Sequence, residues 1–147
     1  MKINKTKIGK IDGTKLKIAI VLPYFNDELG KKLLESAEKE LLAHKVKKEN
    51  IQIVRVAGAL EIPFACQKVI EKYKVDGVIA LGIVIRGETI HFALVSKKAY
   101  DGIMKVQIEK NTPISFGVLT CENEAQAKAR INKGKDAAEA LLLQLKI

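Results

Sequence analysis

Nine consecutive residues, Gly77-Val78-Ile79-Ala80-Leu81-Gly82-Ile83-Val84-Ile85, carry no charged or polar side chain. A membrane-spanning helix needs about 20 such residues, so the run is too short to cross a bilayer. A run with no polar alternation has no side suited to water. It reads as a strand covered on both faces, the kind found in parallel sheets flanked by helices. It empties into Arg86-Gly87-Glu88-Thr89-Ile90-His91, which holds an arginine, a glycine, a hydroxyl and one of only two histidines. A buried strand that ends in such a turn is how α/β proteins build anion or proton-transfer sites.

The rest of the chain repeats the alternation. Lys17–Leu22 predicts a first buried strand. Asn26 or Asp27 can cap a helix to about His44, with Leu29, Leu33, Leu34, Ala37, Leu41 and Leu42 on one face. Ile51–Val56 is a second strand. Pro63 suits the first turn of a helix through Tyr73, with Phe64, Val69 and Ile70 turned inward. After the third strand, a helix from His91 to about Lys110 carries Leu94, Val95, Ala99, Ile103, Val106 and Ile108. Pro113–Leu119 is a fourth strand and Asn123–Ala129 a short helix. A break at Asn132-Lys133-Gly134 precedes a last helix from Asp136 to about Lys146. Strands joined through helices make right-handed crossovers, so the expected fold is a three-layer α/β/α sandwich around a four-stranded parallel sheet. Residues 1–15 stand outside this pattern, as a tail or as an extended arm that pairs elsewhere. Residues 16–147 form one domain.

The net charge of +9 raises the question of nucleic acid. Only three of the 26 basic residues are arginine, namely Arg55, Arg86 and Arg130. Lysine is a strongly hydrated point charge, whereas arginine grips phosphate with a planar fork. Lysines spread among acidic residues read as a solubilising coat whose field draws small anions. Neither nucleic acid nor membrane is expected as a partner. The basic N-terminus lacks the apolar stretch of a signal peptide, so a cytoplasmic setting is the default. Cys66 and Cys121 sit in apolar surroundings and read as buried thiols. No cysteine or histidine spacing suggests a metal site.

In a parallel sheet the outgoing loops share one edge, and ligands bind there. Four loops qualify: Pro23–Asp27, Ala57–Pro63, Arg86–His91 and Thr120–Asn123. His91 can serve as a general acid or base, or merely hydrogen-bond at a helix start. His44, at a helix C-terminus, needs only a structural role. Gly87, Glu88 and Thr89 offer backbone N–H groups and a hydroxyl to an anion, or form an ordinary turn capped by Thr89. Phe25 can stack on a flat heterocycle or pack on a neighbouring loop. Glu61 fits first-turn electrostatics or a donor-rich ligand. Arg130 and Lys133 could together hold a phosphate, or mark a solvated helix end.

Read in order, four motifs resemble the 6,7-dimethyl-8-ribityllumazine synthase family, from Leu16 to the C-terminus. They are Phe25-Asn26-Asp27; Gly58-Ala59-x-Glu61-Ile62-Pro63; Leu81-Gly82-x-Val84-Ile85-Arg86-Gly87-x-Thr89-x-His91; and Pro113-Ile114-x-Phe116-Gly117-Val118-Leu119-Thr120. The resemblance implies that 5-amino-6-(D-ribitylamino)uracil condenses with L-3,4-dihydroxy-2-butanone 4-phosphate. An imine forms, phosphate is eliminated, and ring closure gives the lumazine, without metal or organic cofactor. It implies that Phe25 stacks on the pyrimidine, with Asn26 beside it. Gly58, Ala59, Glu61, Val84 and Ile85 would hold the uracil and ribityl chain. Gly87, Glu88 and Thr89 would cradle phosphate, and His91 would shuttle protons. Phe116, Arg130 and Lys133 would come from a neighbouring subunit. The family builds homopentamers, some of which assemble into sixty-subunit shells, and an N-terminal arm adds a strand to a neighbour's sheet.

The chain departs from the family at Ala57, where proline is common, at Leu60, where an aromatic is frequent, and at Ala93, which replaces an acidic residue. Its Arg130–Gly134 segment is also shorter than the family's linker. An archaeal riboflavin synthase of like architecture is an alternative, against which the Gly87–Thr89 turn and Arg130 argue. A basic nucleic-acid binder is another, supported by charge alone.

Overall fold

The computed structural model describes residues 9–147. Four strands alternate with helices: β1 (Ile18–Pro23), α1 (Asp27–Ala43), β2 (Ile51–Val56), α2 (Ile62–Tyr73), β3 (Gly77–Ile85), α3 (His91–Glu109), β4 (Ile114–Cys121), α4 (Glu124–Lys128) and α5 (Lys133–Gln144). All pairings are parallel and the sheet order is β2-β1-β3-β4. The nine-residue apolar run is β3 in full. It lies inside the sheet between β1 and β4, and its first seven residues are buried.

The side chains of the strands divide into two cores by the two-residue period of a strand. Ile18, Ile20, Leu22, Ile79, Leu81 and Ile83 face α1 and α5. Ala19, Val21, Val78, Ala80, Ile114 and Val118 face α2 and α3. This is the expected three-layer sandwich. The two long helices that follow β1 and β3 therefore leave the sheet toward opposite faces. The strand order reverses between these two strands, which opens a gap at their C-terminal ends.

Helices α1 and α5 approach closely where Gly134 meets Leu33. A Cβ at Gly134 would stand 2.2 Å from the Leu33 carbonyl oxygen. Lys135 N also donates to Ser36 Oγ at 2.9 Å. The expected helix break at Asn132-Lys133-Gly134 is thus corrected: α5 begins at Lys133, and Gly134 serves close packing inside it. The turn that separates the two helices is Ala129–Asn132 instead.

Leu42 and Phe64, expected on the apolar faces of their helices, are exposed at 45% and 65%, as are Leu94 at 53% and Ile108 at 72% on α3. Helical spacing marks a stripe but not its width, and these positions lie at the stripe's margin. Cys66 and Cys121 are buried free thiols, and burial pushes the Cys66 thiol up to about 12. His44 caps the C-terminus of α1. Its Nε2 pairs with Glu40 Oε1 at 3.1 Å and its Nδ1 accepts from Ile11 N at 3.3 Å, so its role is structural.

The expected arm, residues 1–15, falls partly outside the described residues. Within them, Gly13 N donates to the His44 carbonyl at 2.7 Å, and Ile11 and Leu16 pack on the α1 side of the sheet. The opening that gathers the outgoing turns lies at the rim where β1 and β3 end.

Candidate active site

At that rim lies a crevice of about 340 Å³. Three outgoing turns build it. From β1 come Phe25 and Asn26; after β2 come Gly58, Ala59, Leu60 and Glu61; the end of β3 supplies Ile83, Val84 and Ile85, and the turn beyond it Gly87 and Thr89. The first residues of α3, His91, Phe92 and Val95, close the remaining side. A crevice that mixes apolar side chains with a few polar groups suits a heterocycle bearing a polar chain.

Each wall has a local cause. Asn26 sits in the left-handed region at φ 58°, which asparagine tolerates better than most residues. It precedes α1 but makes no side-chain cap. Its Nδ2 instead donates to the Ile83 carbonyl at 3.0 Å and so ties the first turn to the end of β3. The expected capping by Asn26 is corrected accordingly. Phe25 is 73% exposed, with its ring against Gly58: a Cβ there would lie 3.7 Å from Phe25 Cδ2. Gly58 N donates to Glu61 Oε2 at 2.9 Å, so the Glu61 carboxylate braces its own turn, the local role its position before Ile62 and Pro63 suggested.

The turn after β3 is exposed from Arg86 through Ile90. Thr89 Oγ1 accepts from His91 N at 3.2 Å, while Ile90, not Thr89, stands at the formal cap of α3. A Cβ on Gly87 would meet no atom within 4 Å, so the backbone there is open to a ligand. Unpaired N–H groups at the start of a long helix favour an anion. Arg86 braces the turn from outside. Its Nε reaches Glu122 Oε2 at 2.7 Å, its guanidinium lies 4.8 Å over the Phe92 ring, and its N donates to the Cys121 carbonyl.

Of the residues singled out from sequence, Phe25, Asn26, Gly58, Ala59, Glu61, Val84, Ile85, Gly87, Thr89 and His91 meet at the crevice. Glu88 is exposed beside it without lining it. Phe116, Arg130 and Lys133 do not line it either. Phe116 and Lys133 border a second hollow of about 360 Å³ between α3, β4 and α5. Arg130 is exposed after α4, where its Nη1 donates to the Gln126 carbonyl at 2.9 Å. Leu60, Ile83, Phe92 and Val95 line the crevice but carry no chemical mark that singles them out. Only the nearness of Leu60 to the Gly58–Glu61 motif, and of Phe92 to His91, could have found two of them.

The family model for 6,7-dimethyl-8-ribityllumazine synthase matches residues 15–147. Curated proteins of that name are similar over nearly the full chain. The one from Desulfovibrio desulfuricans is 40% identical over 97% of this chain and 95% of its own length. That from Pediococcus pentosaceus is 43% identical over 95% and 93%. That from Paracidovorax citrulli is 45% identical over 92% and 88%.

Proposed function

This chain belongs to the 6,7-dimethyl-8-ribityllumazine synthase family, and we propose that the crevice at its sheet rim is where it works. The enzyme is a transferase of riboflavin biosynthesis. It condenses 5-amino-6-(D-ribitylamino)uracil with L-3,4-dihydroxy-2-butanone 4-phosphate to 6,7-dimethyl-8-ribityllumazine, releasing phosphate and water. The observation that carries the assignment of the site is the meeting of Phe25, Gly58, Val84, Thr89 and His91 around one slot.

The amine is already a nucleophile, so the protein's task is to juxtapose two substrates, neutralise the phosphate and move protons. Phe25 stacks on the pyrimidine, with Asn26 at the same wall. Gly58, Ala59, Glu61, Val84 and Ile85 hold the uracil edge and the ribityl chain. Gly87, Glu88 and Thr89 receive the phosphate at the start of α3, which stabilises it as it leaves. His91 transfers protons during imine formation and elimination. Among the described residues no side chain is bonded to its ring, which leaves both nitrogens available to substrate.

Phe116, Arg130 and Lys133 complete the site of an adjacent copy, with Arg130 on the phosphate. Their distance from the crevice of their own chain supports that reading. A site divided in this way requires assembly, a homopentamer in the first instance, and shells of sixty subunits are the larger form of the same contact. The setting is the cytoplasm, and among the described residues no helix is long and apolar enough to cross a membrane.

Purified protein incubated with both substrates is expected to develop lumazine fluorescence, and with lumazine alone to make no riboflavin. The shared site is tested by mixing. His91→Ala and Arg130→Ala proteins, each nearly inactive, should regain activity when dissociated and reassembled together. A monomer in solution, or mixtures that stay inactive, would remove the neighbour from the site.

A further inference from the structure

We infer that Arg55 is a positioning residue for the reaction: it clamps the turn after β1 and thereby sets the Phe25 ring at the mouth of the crevice. Arg55 lines no part of the crevice. It lies on β2, level with Leu22 of β1. Its Nε donates to the Leu22 carbonyl at 3.1 Å and its Nη2 to the Pro23 carbonyl at 3.2 Å. The same Nη2 bonds Asp27 Oδ1. Its guanidinium carbon lies 4.2 Å over the Tyr24 ring.

Every group it touches thus belongs to the segment from Leu22 to Asp27. Phe25 and Asn26 are the two residues of that segment it leaves free, and they are the two that line the crevice. The β-sheet adds one more tie, Tyr24 N to the Val56 carbonyl at 2.7 Å. On the far side Asn26 holds the Ile83 carbonyl. The aromatic is therefore presented from a short arch fixed at both feet. Its own ring is 73% exposed and rests only against Gly58, so its direction is set chiefly by the arch. The planar fork of arginine matters here. It bonds two consecutive carbonyls and a carboxylate while stacking on an aromatic face, which a lysine ammonium cannot do together.

This inference rests on Phe25 contacting the uracil substrate. The test is steady-state kinetics of the assembled enzyme with each substrate varied in turn. Arg55→Ala is expected to raise KM for 5-amino-6-(D-ribitylamino)uracil about tenfold, the size of one lost ring-stacking contact. KM for the butanone phosphate and kcat should change less than about twofold. Arg55→Lys should recover little of the loss, since it restores charge without the fork, and it carries the test should the alanine variant not fold. The Phe25→Ala and Arg55→Ala losses should not add, because one acts through the other. Additive losses, or equal rises in both KM values, would reduce Arg55 to a strut of the fold. Failure of the site assignment itself would look different: Phe25→Ala alone would leave the uracil KM unchanged.

Discussion

The crevice and the hollow beside β4 are nearly equal in volume, about 340 and 360 Å³, yet they differ in what lines them. The crevice sits where strands end, so its walls are turns, and turns present groups that regular structure leaves unpaired. The hollow lies along α3, β4 and α5, whose backbones are largely paired within their elements. One of its amides is already used: Gln107 Oε1 accepts from Ile114 N at 2.7 Å. Its one polar oddity is Ser115 Oγ, buried without a hydrogen-bond partner. Volume alone does not tell the two apart. The supply of unspent donors and acceptors, and the strand end at which they are gathered, does.

The strongest way to break the contrast is at His91. His91→Ala should slow lumazine formation about a hundredfold or more, the usual scale for losing a general acid or base, with the thermal midpoint unchanged. A fall in both would mean that the crevice is structural after all. On the other side, α5 forms one wall of the hollow and is seated on α1 through Gly134. Gly134→Ala should cost about 3 kcal/mol in denaturant unfolding, because the new methyl meets backbone rather than a yielding side chain. A smaller cost would mean that the helix pair slides easily and that the hollow's shape is not fixed.

Ser115→Ala probes the hollow more gently. With no partner among the described residues, loss of the hydroxyl should raise stability by about 1 kcal/mol, measured by chemical unfolding. A decrease would show that the hydroxyl is bonded in the assembled protein, in keeping with the proposed place of Phe116 and Lys133 beside an adjacent copy.

The mildest effect is pH-linked and lies at the crevice mouth. The Arg55 guanidinium, helped by Lys31, holds the Asp27 carboxyl below its ordinary value of 3.8. The folded group is thus the stronger acid. Its contribution is complete above the unfolded value and fades as pH falls through the lower folded one. Acid unfolding below about pH 4 should therefore be less steep in Asp27→Asn than in the parent protein. Identical profiles would show that the pair does nothing for the arch.

Much of this was legible in the sequence, for reasons that differ by element. Gly77–Ile85 and Ile51–Val56 matched the observed strands to the residue, because a buried run and a bounded run leave few choices of register. Phe25, Glu61, Gly87, Thr89 and His91 were legible because polar and aromatic exceptions gathered in loops whose common edge follows from parallel pairing, whereas Gly58, Ala59, Val84 and Ile85 were marked only by the resemblance. Phe64 was misread as inward because helical spacing marks an apolar stripe but not how much of it is covered. Arg55 was invisible as a clamp, since its partners depend on the pairing of Leu22 with Arg55 across two strands. Asn26 was read as a cap because capping is local, whereas its bond to Ile83 spans 57 residues.

The departure of α1 and α3 toward opposite layers leaves the exposed turns at the rim outside both interiors, with only the strand end and Ala59 touching them. Turns at this rim can lengthen, shorten or exchange side chains while Leu33 and Ile103 remain packed as before. A scaffold so partitioned can drift toward new chemistry without first surrendering its foldedness, which makes it a good ancestor as well as a good enzyme.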